Sequence, residues 1–462
     1  MGKTFKIAGG HSDTVESAKN ILEAGGNAFD AAIAGVFSSM ISEFLYTGAA
    51  SGGAMMIKKN GKPPLLIDFF IETPAVTPEK IQDFRTIYAD FGDIKQEFNI
   101  GSGSVGIPGT LPGLISIHKQ YGSLPFSTLV EQAVKLSRTG SILSKNQEYV
   151  TQVLFPVVSN NQDLFSLFSK NGKLIKKGDT FKNKQLGDFL EQFMYQKNPE
   201  AFYKEEVCPI FFDSMKNGGF ISLNDLQDYS PKIRRPLNIN YYGHDIFLNP
   251  EPSTGGRLIN DGLKFLSNEA TISEKVFEKA LLKIQPLNQK DMVGSTTHLT
   301  VIDGENNVSS VTTTNGVGAG FLFKDTGIMP NNILGEKHLN PFGFHNWKLK
   351  QRIPSNICPT IIQKGEKNII SLGSAGSSRI ISAILCVITN IINKKMSLKR
   401  AIATSRIHLE GNVLHCETDN ENVEFKSKEI VYWNEKNMFF GGVNACSLNE
   451  SIADKRRNGC VF

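Results

Sequence analysis

The apolar positions of the chain switch between a helical and a strand period. From Asp13, "DTVESAKNILEAGG" sets Val15, Ala18 and Leu22 on one stripe, places Asp13 as N-cap with Glu16 three residues on, and closes on glycine, which predicts a helix. The Ala- and Gly-rich "NAFDAAIAGVFSSMISEF" predicts a second helix, antiparallel to the first and packed closely on its neighbours. In "YTGAASGGAMMIKKNGKPPLLIDFF" two short apolar runs flank a Gly-Lys turn, as in a β-hairpin. Thr110 to about Lys216 is mostly helical in pattern, with Leu129, Ala133 and Leu136 at helical spacing. Strand character returns in "LNINYYGHDIFLNP" and dominates "THLTVIDGENNVSSVTTTNG". "CPTIIQKGEKNIISLGS" and "NVLHCETDNENVEF" repeat the strand, polar turn, strand arrangement, with a helix, "RIISAILCVITNIINKK", between them. Strand pairs flanked by helices at both ends of the chain predict an α+β fold with helices layered over sheets.

Length, composition and charge narrow this picture. At 462 residues the chain exceeds the roughly 250 to 300 at which one core stops growing, so it holds two large lobes or one multilayer domain. With 40% hydrophobic and 21% charged residues it is an ordinary globular chain. Its net charge of +5 comes from 50 basic against 45 acidic residues, and "ADKRRNG" around Arg456 reads as a solvated loop, so no nucleic-acid partner is expected. Six scattered cysteines without C-x-x-C or nearby histidine pairs argue against a disulfide framework or metal site. No cofactor is called for. The N-terminus lacks the apolar run of a secretory signal and no stretch of about 18 apolar residues follows, so the expectation is a cytoplasmic protein without a membrane partner.

Two segments carry candidate chemistry. In "GSTTHLTVID" the pair Thr296-Thr297 is a β-propensity match that also resembles a nucleophile ahead of a strand. "GSAGSSRII" is a small-residue turn opening a helix, which offers backbone N–H groups to an anion or oxyanion but lacks the lysine of a phosphate loop.

Taken in order, "GGNAFDAAIAG", "TGAASGGAMMI", "VGIPGTLPGLISIHKQYGSLPFSTLVEQAVKLSRTG", "ISLNDLQDYSPKIRRPLNINYYGHDIFLNPEPSTGG", "TTHLTVID", "RIPSNICPTII", "GSAGSSRII" and the closing "FFGGVNACSLNESIADKRRNG" resemble successive signatures of the γ-glutamyltransferase family over nearly the whole chain. The resemblance implies an N-terminal nucleophile hydrolase: a four-layer αββα sandwich made as a precursor that cuts itself before a threonine. Cleavage would turn an amide nitrogen into a free α-amino group of pKa about 7.7 to 8.0, able to act as base for the adjacent hydroxyl. By match to the family motif the cut falls between Ser295 and Thr296, giving a large chain 1–295 and a small chain 296–462 that share one core; a cut before Thr297 is the alternative.

Residue by residue, the resemblance makes Thr296 the nucleophile, Thr314 its supporting hydroxyl, and Gly376 and Ser377 the oxyanion-hole pair. It makes Asn315 and Glu336 contacts for a substrate ammonium, and Ser355 and Asn356 contacts for an α-carboxylate. His298 is assigned a structural hydrogen bond rather than a catalytic task. Ser377 stands where the family has glycine, so a positive φ there would mean strain. The family's carboxylate-clamping arginine is missing: the aligned positions are Phe69, Phe70 and Ile71. The segment between "EPSTGGRLINDGLKFL" and Gly294 reads as a short, poorly patterned connector. The implied reaction is hydrolysis or transfer of the γ-glutamyl group of glutathione or a related amide, with water or an amine as acceptor. A related amidohydrolase for another small carboxylated amide and an unprocessed, non-catalytic binding protein are the alternatives, and a homo-oligomer is compatible with either.

Overall fold

The computed structural model describes residues 4–77, 83–90, 95–284, 295–340, 342–417, 425–427 and 429–462. The elements that frame the site are, in chain order, β1 (Lys6–Gly9), α1 (Ser12–Glu23), α2 (Ala28–Ser42), β2 (Gly52–Lys58), β3 (Leu65–Phe69), α3 (Thr110–Tyr121), α4 (Phe126–Thr139), α5 (Lys184–Met194) and β4 (Lys232–Arg234). They continue with β5 (Leu237–Tyr241), β6 (His244–Leu248), α6 (Thr254–Leu266), α7 (Glu274–Ile284), β7 (Ser295–Ile302), β8 (Val308–Gly316), β9 (Thr360–Gln363) and β10 (Ile369–Ala375). The last are α8 (Arg379–Ile392), β11 (Gly442–Ser447), β12 (Ser451–Ile452) and β13 (Cys460–Val461).

One sheet has the order β4-β3-β2-β8-β7-β1-β13 and the other β5-β6-β9-β10-β11-β12, every neighbouring pair antiparallel. The sheets face each other through β7, β8 and β1 on one side and β10 and β11 on the other; α1 and α2 cover the first sheet, α6 and α8 the second. This is the expected αββα sandwich. The helix-rich middle is also present, α4 packing along α5 beside α2. Strands from both sides of Ser295 share the first sheet, β7 lying between β8 and β1.

Strand alternation divides the apolar residues between two cores. Leu299 and Val301 of β7 join Ile33, Phe37 and Met40 of α2 in one. Ile302 of β7 and Val308 of β8 join Leu372 of β10 and Ile384 and Ile388 of α8 in the other.

Three expectations need correction. Helix α1 is capped by His11, whose Nδ1 accepts the Asp13 N–H at 3.2 Å, while the Asp13 carboxylate accepts the Ser141 hydroxyl at 2.5 Å. The segment read as a short, poorly patterned connector contains α7, whose Phe277, Ala280, Leu281 and Ile284 are buried at helical spacing; residues 285–294 lie outside the described residues. Finally, where "NVLHCETDNENVEF" is expected to supply a strand pair, both edges of Val413–Glu417 are taken by other segments, antiparallel by Ile407–Glu410 and parallel by Glu429–Trp433, and 418–424 lie outside the described residues.

Candidate active site

The alternation of β7 decides which threonine faces what. Thr297 points to the helical layer, its hydroxyl donating to Glu43 Oε2 at 2.5 Å, and Leu299 lies so close to α2 that a Cβ on Gly35 would fall 2.4 Å from it. Thr296, His298 and Thr300 therefore face the second sheet. A Cβ on Gly373 of β10 would fall 2.3 Å from the His298 ring, and Thr300 Oγ1 lies 2.5 Å from Ser371 Oγ. Those two contacts run in opposite directions along the strands, so stepping back from His298 to Thr296 means stepping forward from Gly373 to Ala375. The register sets Thr296 opposite the end of β10, immediately before the Gly376-Ser377 turn.

The bond ahead of Thr296 is irregular. The β7–β8 register shifts between Ser295 and Thr296, a bulge-like break of the kind that re-aims side chains. Thr314, the cross-strand partner of Thr296, donates its hydroxyl to the Ser295 carbonyl at 2.5 Å and accepts the Gly316 N–H at 3.2 Å. Because the backbone N–H occupies a lone pair of that hydroxyl, its proton is directed at the carbonyl oxygen. A donor so placed favours negative charge developing on that oxygen when the Ser295–Thr296 amide is attacked.

Gly376 and Ser377 have φ of 121° and 55°, both in the left-handed half of backbone space. At Gly376 only glycine fits, since a Cβ would lie 2.9 Å from the Gly441 Cα. At Ser377 a serine is held in a conformation that glycine adopts at less cost. The turn leads directly into α8, and the N–H groups of Gly376, Ser377 and Ser378 donate to no described residue, while those of Arg379, Ile380 and Ile381 close back on the carbonyls of Gly376, Ser377 and Ser378. Backbone donors at the start of a 14-residue helix suit an oxyanion.

Of the residues expected to meet substrate, Asn315 lies in β8, and Glu336, Ser355 and Asn356 lie outside the strands and α-helices. Glu336 is buried, its Oε1 without a hydrogen-bond partner and its Oε2 3.6 Å from His338 Nε2. Burial pushes its carboxyl up to about 8. Its Oε1 would touch a Cβ at Gly316 at 2.5 Å, which places the carboxylate against the end of β8, two residues from Thr314. Asn315 is fully buried; its Nδ2 faces the Met329 and Pro330 carbonyls at 3.3 and 3.5 Å, leaving only the unpartnered Oδ1 for a ligand. Ser355 and Asn356 are lashed to the start of α6: the Ser355 carbonyl accepts the N–H groups of Thr254 and Gly255, and Asn356 Oδ1 accepts the Thr254 hydroxyl at 2.9 Å. The Asn356 amide therefore turns its donor end away from α6.

Phe70 is buried against the second core. Arg352 is near, but Nη1 donates to the Phe70 carbonyl at 2.6 Å, Nη2 to the Ser230 carbonyl at 2.9 Å, and the guanidinium stacks over Tyr229. That arginine holds the loop together. His298 is also structural: its Nδ1 lies 2.8 Å from Thr312 Oγ1, and burial pushes it down to about 3, so it stays neutral.

Pattern reading missed three contributors. Glu43 braces Thr297, the neighbour of Thr296, from α2's end, and burial raises its carboxyl. Asn332 accepts the Val317 N–H at 2.8 Å and shapes the loop beside Glu336; the doubled asparagine in "MPNNILG" was its signal. The "ADKRRNG" stretch is not solvated throughout: Arg456 is buried and pairs with Glu417 and Asp454, and Arg457 reaches the Gly376 turn. Among the described residues no cluster of His, Cys, Asp and Glu could hold a metal ion, and no helix is long and apolar enough to cross a membrane.

Comparison with known proteins bears on the family and the fold. The family model described as gamma-glutamyltranspeptidase matches residues 14–282 and 264–459. The chain is 27% identical to the glutathione hydrolase proenzyme of Bacillus subtilis strain 168, covering all of this chain and 92% of that protein. It is 26% identical to the capsule biosynthesis protein CapD proenzyme of Bacillus anthracis, over 99% and 90% of the two. Among solved structures, cephalosporin acylase from Bacillus halodurans superposes with a TM-score of 0.82 at 18% identity, covering 100% of this chain and 96% of that one. This chain belongs to the γ-glutamyltranspeptidase family of N-terminal nucleophile hydrolases.

Proposed function

We propose that the chain is the precursor of an amidohydrolase that cuts itself between Ser295 and Thr296 and then uses Thr296 on γ-glutamyl amides such as glutathione. The observation that supports this most directly is the Thr314 hydroxyl, aimed at the Ser295 carbonyl where the register brings in the Gly376-Ser377 turn. In self-cleavage the Thr296 hydroxyl attacks that carbonyl, the C–N bond breaks as a C–O ester forms, and water releases the fragments 1–295 and 296–462. The freed α-amino group then serves as base. In turnover Thr296 takes the acyl group from the amide, its proton passes to the leaving amine, the N–H groups at Gly376 and Ser377 hold the oxyanion, and water or an amine accepts the acyl group. Glu336 meets the donor's ammonium, while Ser355 and Asn356 meet its carboxylate.

A second reading keeps the chemistry and changes the acyl group. Phe70 favours it, because losing a charge-assisted contact forfeits roughly 10- to 100-fold in binding. Denaturing gels of wild type and Thr296→Ala, followed by glutathione and a panel of dicarboxylic monoamides, decide among the readings. Two fragments from wild type, one band from the variant and glutathione turnover are expected. Turnover restricted to non-glutamyl amides would select the second reading, and one persistent band in both proteins would leave only a binding protein.

A further inference from the structure

We infer that Arg457 is the carboxylate-binding residue of the leaving-group side of the site, so that the preferred substrates are amides whose amine half carries a carboxylate, as an amino acid or short peptide does. The inference rests on Thr296 being the nucleophile.

The buried arginines of the described residues have protein partners. Arg352 is tied to carbonyls, Arg379 to Glu410, Arg406 to Asp454, and Arg456 to Glu417 and Asp454. Arg457 differs. Its side chain lies flat on Gly442, where a Cβ would fall 2.8 Å from Cδ, and its Nε is buried with no partner. Among the described residues its guanidinium has no hydrogen bond or ion pair, only the Tyr46 ring at 6.0 Å. Burial lowers its pKa from the usual arginine value, Tyr46, Asp454 and Glu43 oppose that, and Arg379 adds to it. A half-buried guanidinium seated on the backbone, with no carboxylate of the described residues in hydrogen-bond or ion-pair contact, is poised for an anion from outside, and a planar carboxylate matches its donor fork.

Two features fix where that carboxylate would sit. Arg457 Nη2 lies 3.5 Å from the point where Gly376 would carry a Cβ, directly beside the turn that ends opposite Thr296. On the same turn the hydroxyls of Ser377 and Ser378 are buried and without partners, although each residue is more than nine-tenths buried. The side of the nucleophile follows from the sheets. Glu336 abuts the end of β8, on one flank of β7. Arg457 lies at the start of β11, which packs over β7 and β1, and its field reaches Glu43, whose Oε2 approaches Gly10 just past β1. The two charges therefore flank Thr296: Glu336 on the side that takes the acyl half, Arg457 on the side through which the amine leaves and an acceptor enters.

The test compares γ-glutamylglycine with γ-glutamylglycinamide as donors, for wild type, Arg457→Gln and Arg457→Lys. Wild type is expected to favour the carboxylate form by about 10- to 100-fold in kcat/KM, the ratio falling to within about threefold of unity in Arg457→Gln, with partial recovery in Arg457→Lys. In parallel, glycylglycine should raise the melting temperature of the wild-type chain more than glycylglycine amide does, and that difference should vanish in Arg457→Gln. This arm needs no acyl donor. Absence of donor turnover with carboxylate-dependent stabilisation intact would overturn the γ-glutamyl reading and keep this one. A wild-type protein that treats acid and amide alike in both arms would overturn this inference, whatever the variants do.

Discussion

The two sides of the Ser295–Thr296 bond are built from different material. On the catalytic side, placement follows from strand register and backbone: Thr314 is the cross-strand partner of Thr296, Gly373 seats His298, and the Gly376-Ser377 turn ends β10. On the recognition side, placement follows from single side chains on loops: Glu336 beside Gly316, Ser355 and Asn356 on the start of α6, Phe70 in the apolar core. A ladder of antiparallel hydrogen bonds cannot move one residue without turning every side chain over. A loop residue can be exchanged at the cost of its own contacts. The expected nucleophile and oxyanion turn thus sit on the part that resists change, and the residues expected to meet substrate, Asn315 of β8 excepted, on the part that tolerates it.

The largest effect expected from breaking the rigid side is at Thr314. Thr314→Val keeps the β-branched shape and removes the donor from the Ser295 carbonyl, so self-cleavage followed on denaturing gels should slow by about 100- to 1000-fold, the usual loss for one oxyanion donor. The circular dichroism spectrum should stay unchanged. Cleavage at the wild-type rate would mean that the carbonyl is polarised from elsewhere, and the contrast between the two sides would lose its main support.

That contrast also explains what could be read from the sequence. The strand periods, the ordered motifs and the αββα layering were legible because each depends on local pattern or on a run of residues. Thr296 was legible as the residue of the pair that faces the second sheet only after a register was known, and the motif stood in for it. What was illegible depends on long-range packing. The run Lys455-Arg456-Arg457 looks like a solvated charge patch until Glu417 and Asp454 bury one member and Gly442 seats the next. Glu43 looks like a helix-end carboxylate until β7 brings Thr297 onto it. The α7 helix was illegible for a different reason: its apolar spacing is regular, but it lacks a glycine stop.

On the recognition side the expected effect is smaller and depends on pH. Burial holds the Glu336 carboxyl at about 8 against an ordinary value of 4.5, so the folded chain keeps a proton that the unfolded chain releases. The stability linked to this group is therefore complete below about pH 4.5 and is lost as pH rises through about 8. Wild type should lose melting temperature between pH 6 and pH 9 relative to Glu336→Gln, which has no such proton to give up. For an ammonium-bearing donor the sign reverses, because binding needs the carboxylate: wild-type KM should fall as pH rises from about 6 towards 8, and this slope should be missing in the variant. Parallel melting curves would show that Glu336 is ionised in the empty site.

The smallest effect sharpens the boundary between the two sides, because Ser377 belongs to both. Its backbone serves the oxyanion turn, while its φ of 55° and its unpartnered hydroxyl are costs that glycine would not carry. Ser377→Gly should stabilise the chain by about 1 kcal/mol in denaturant titration, since it removes left-handed strain and a buried polar group without a partner, offset by the extra freedom glycine has when unfolded. Self-cleavage should continue at close to the wild-type rate, because the N–H that faces the oxyanion is retained. Preference for a carboxylated leaving group should fall, because the unpartnered hydroxyl on the turn that Arg457 reaches is gone. A variant that gains stability and keeps its preference would place Ser377 wholly on the catalytic side, leaving Arg457 and Ser378 to hold the carboxylate.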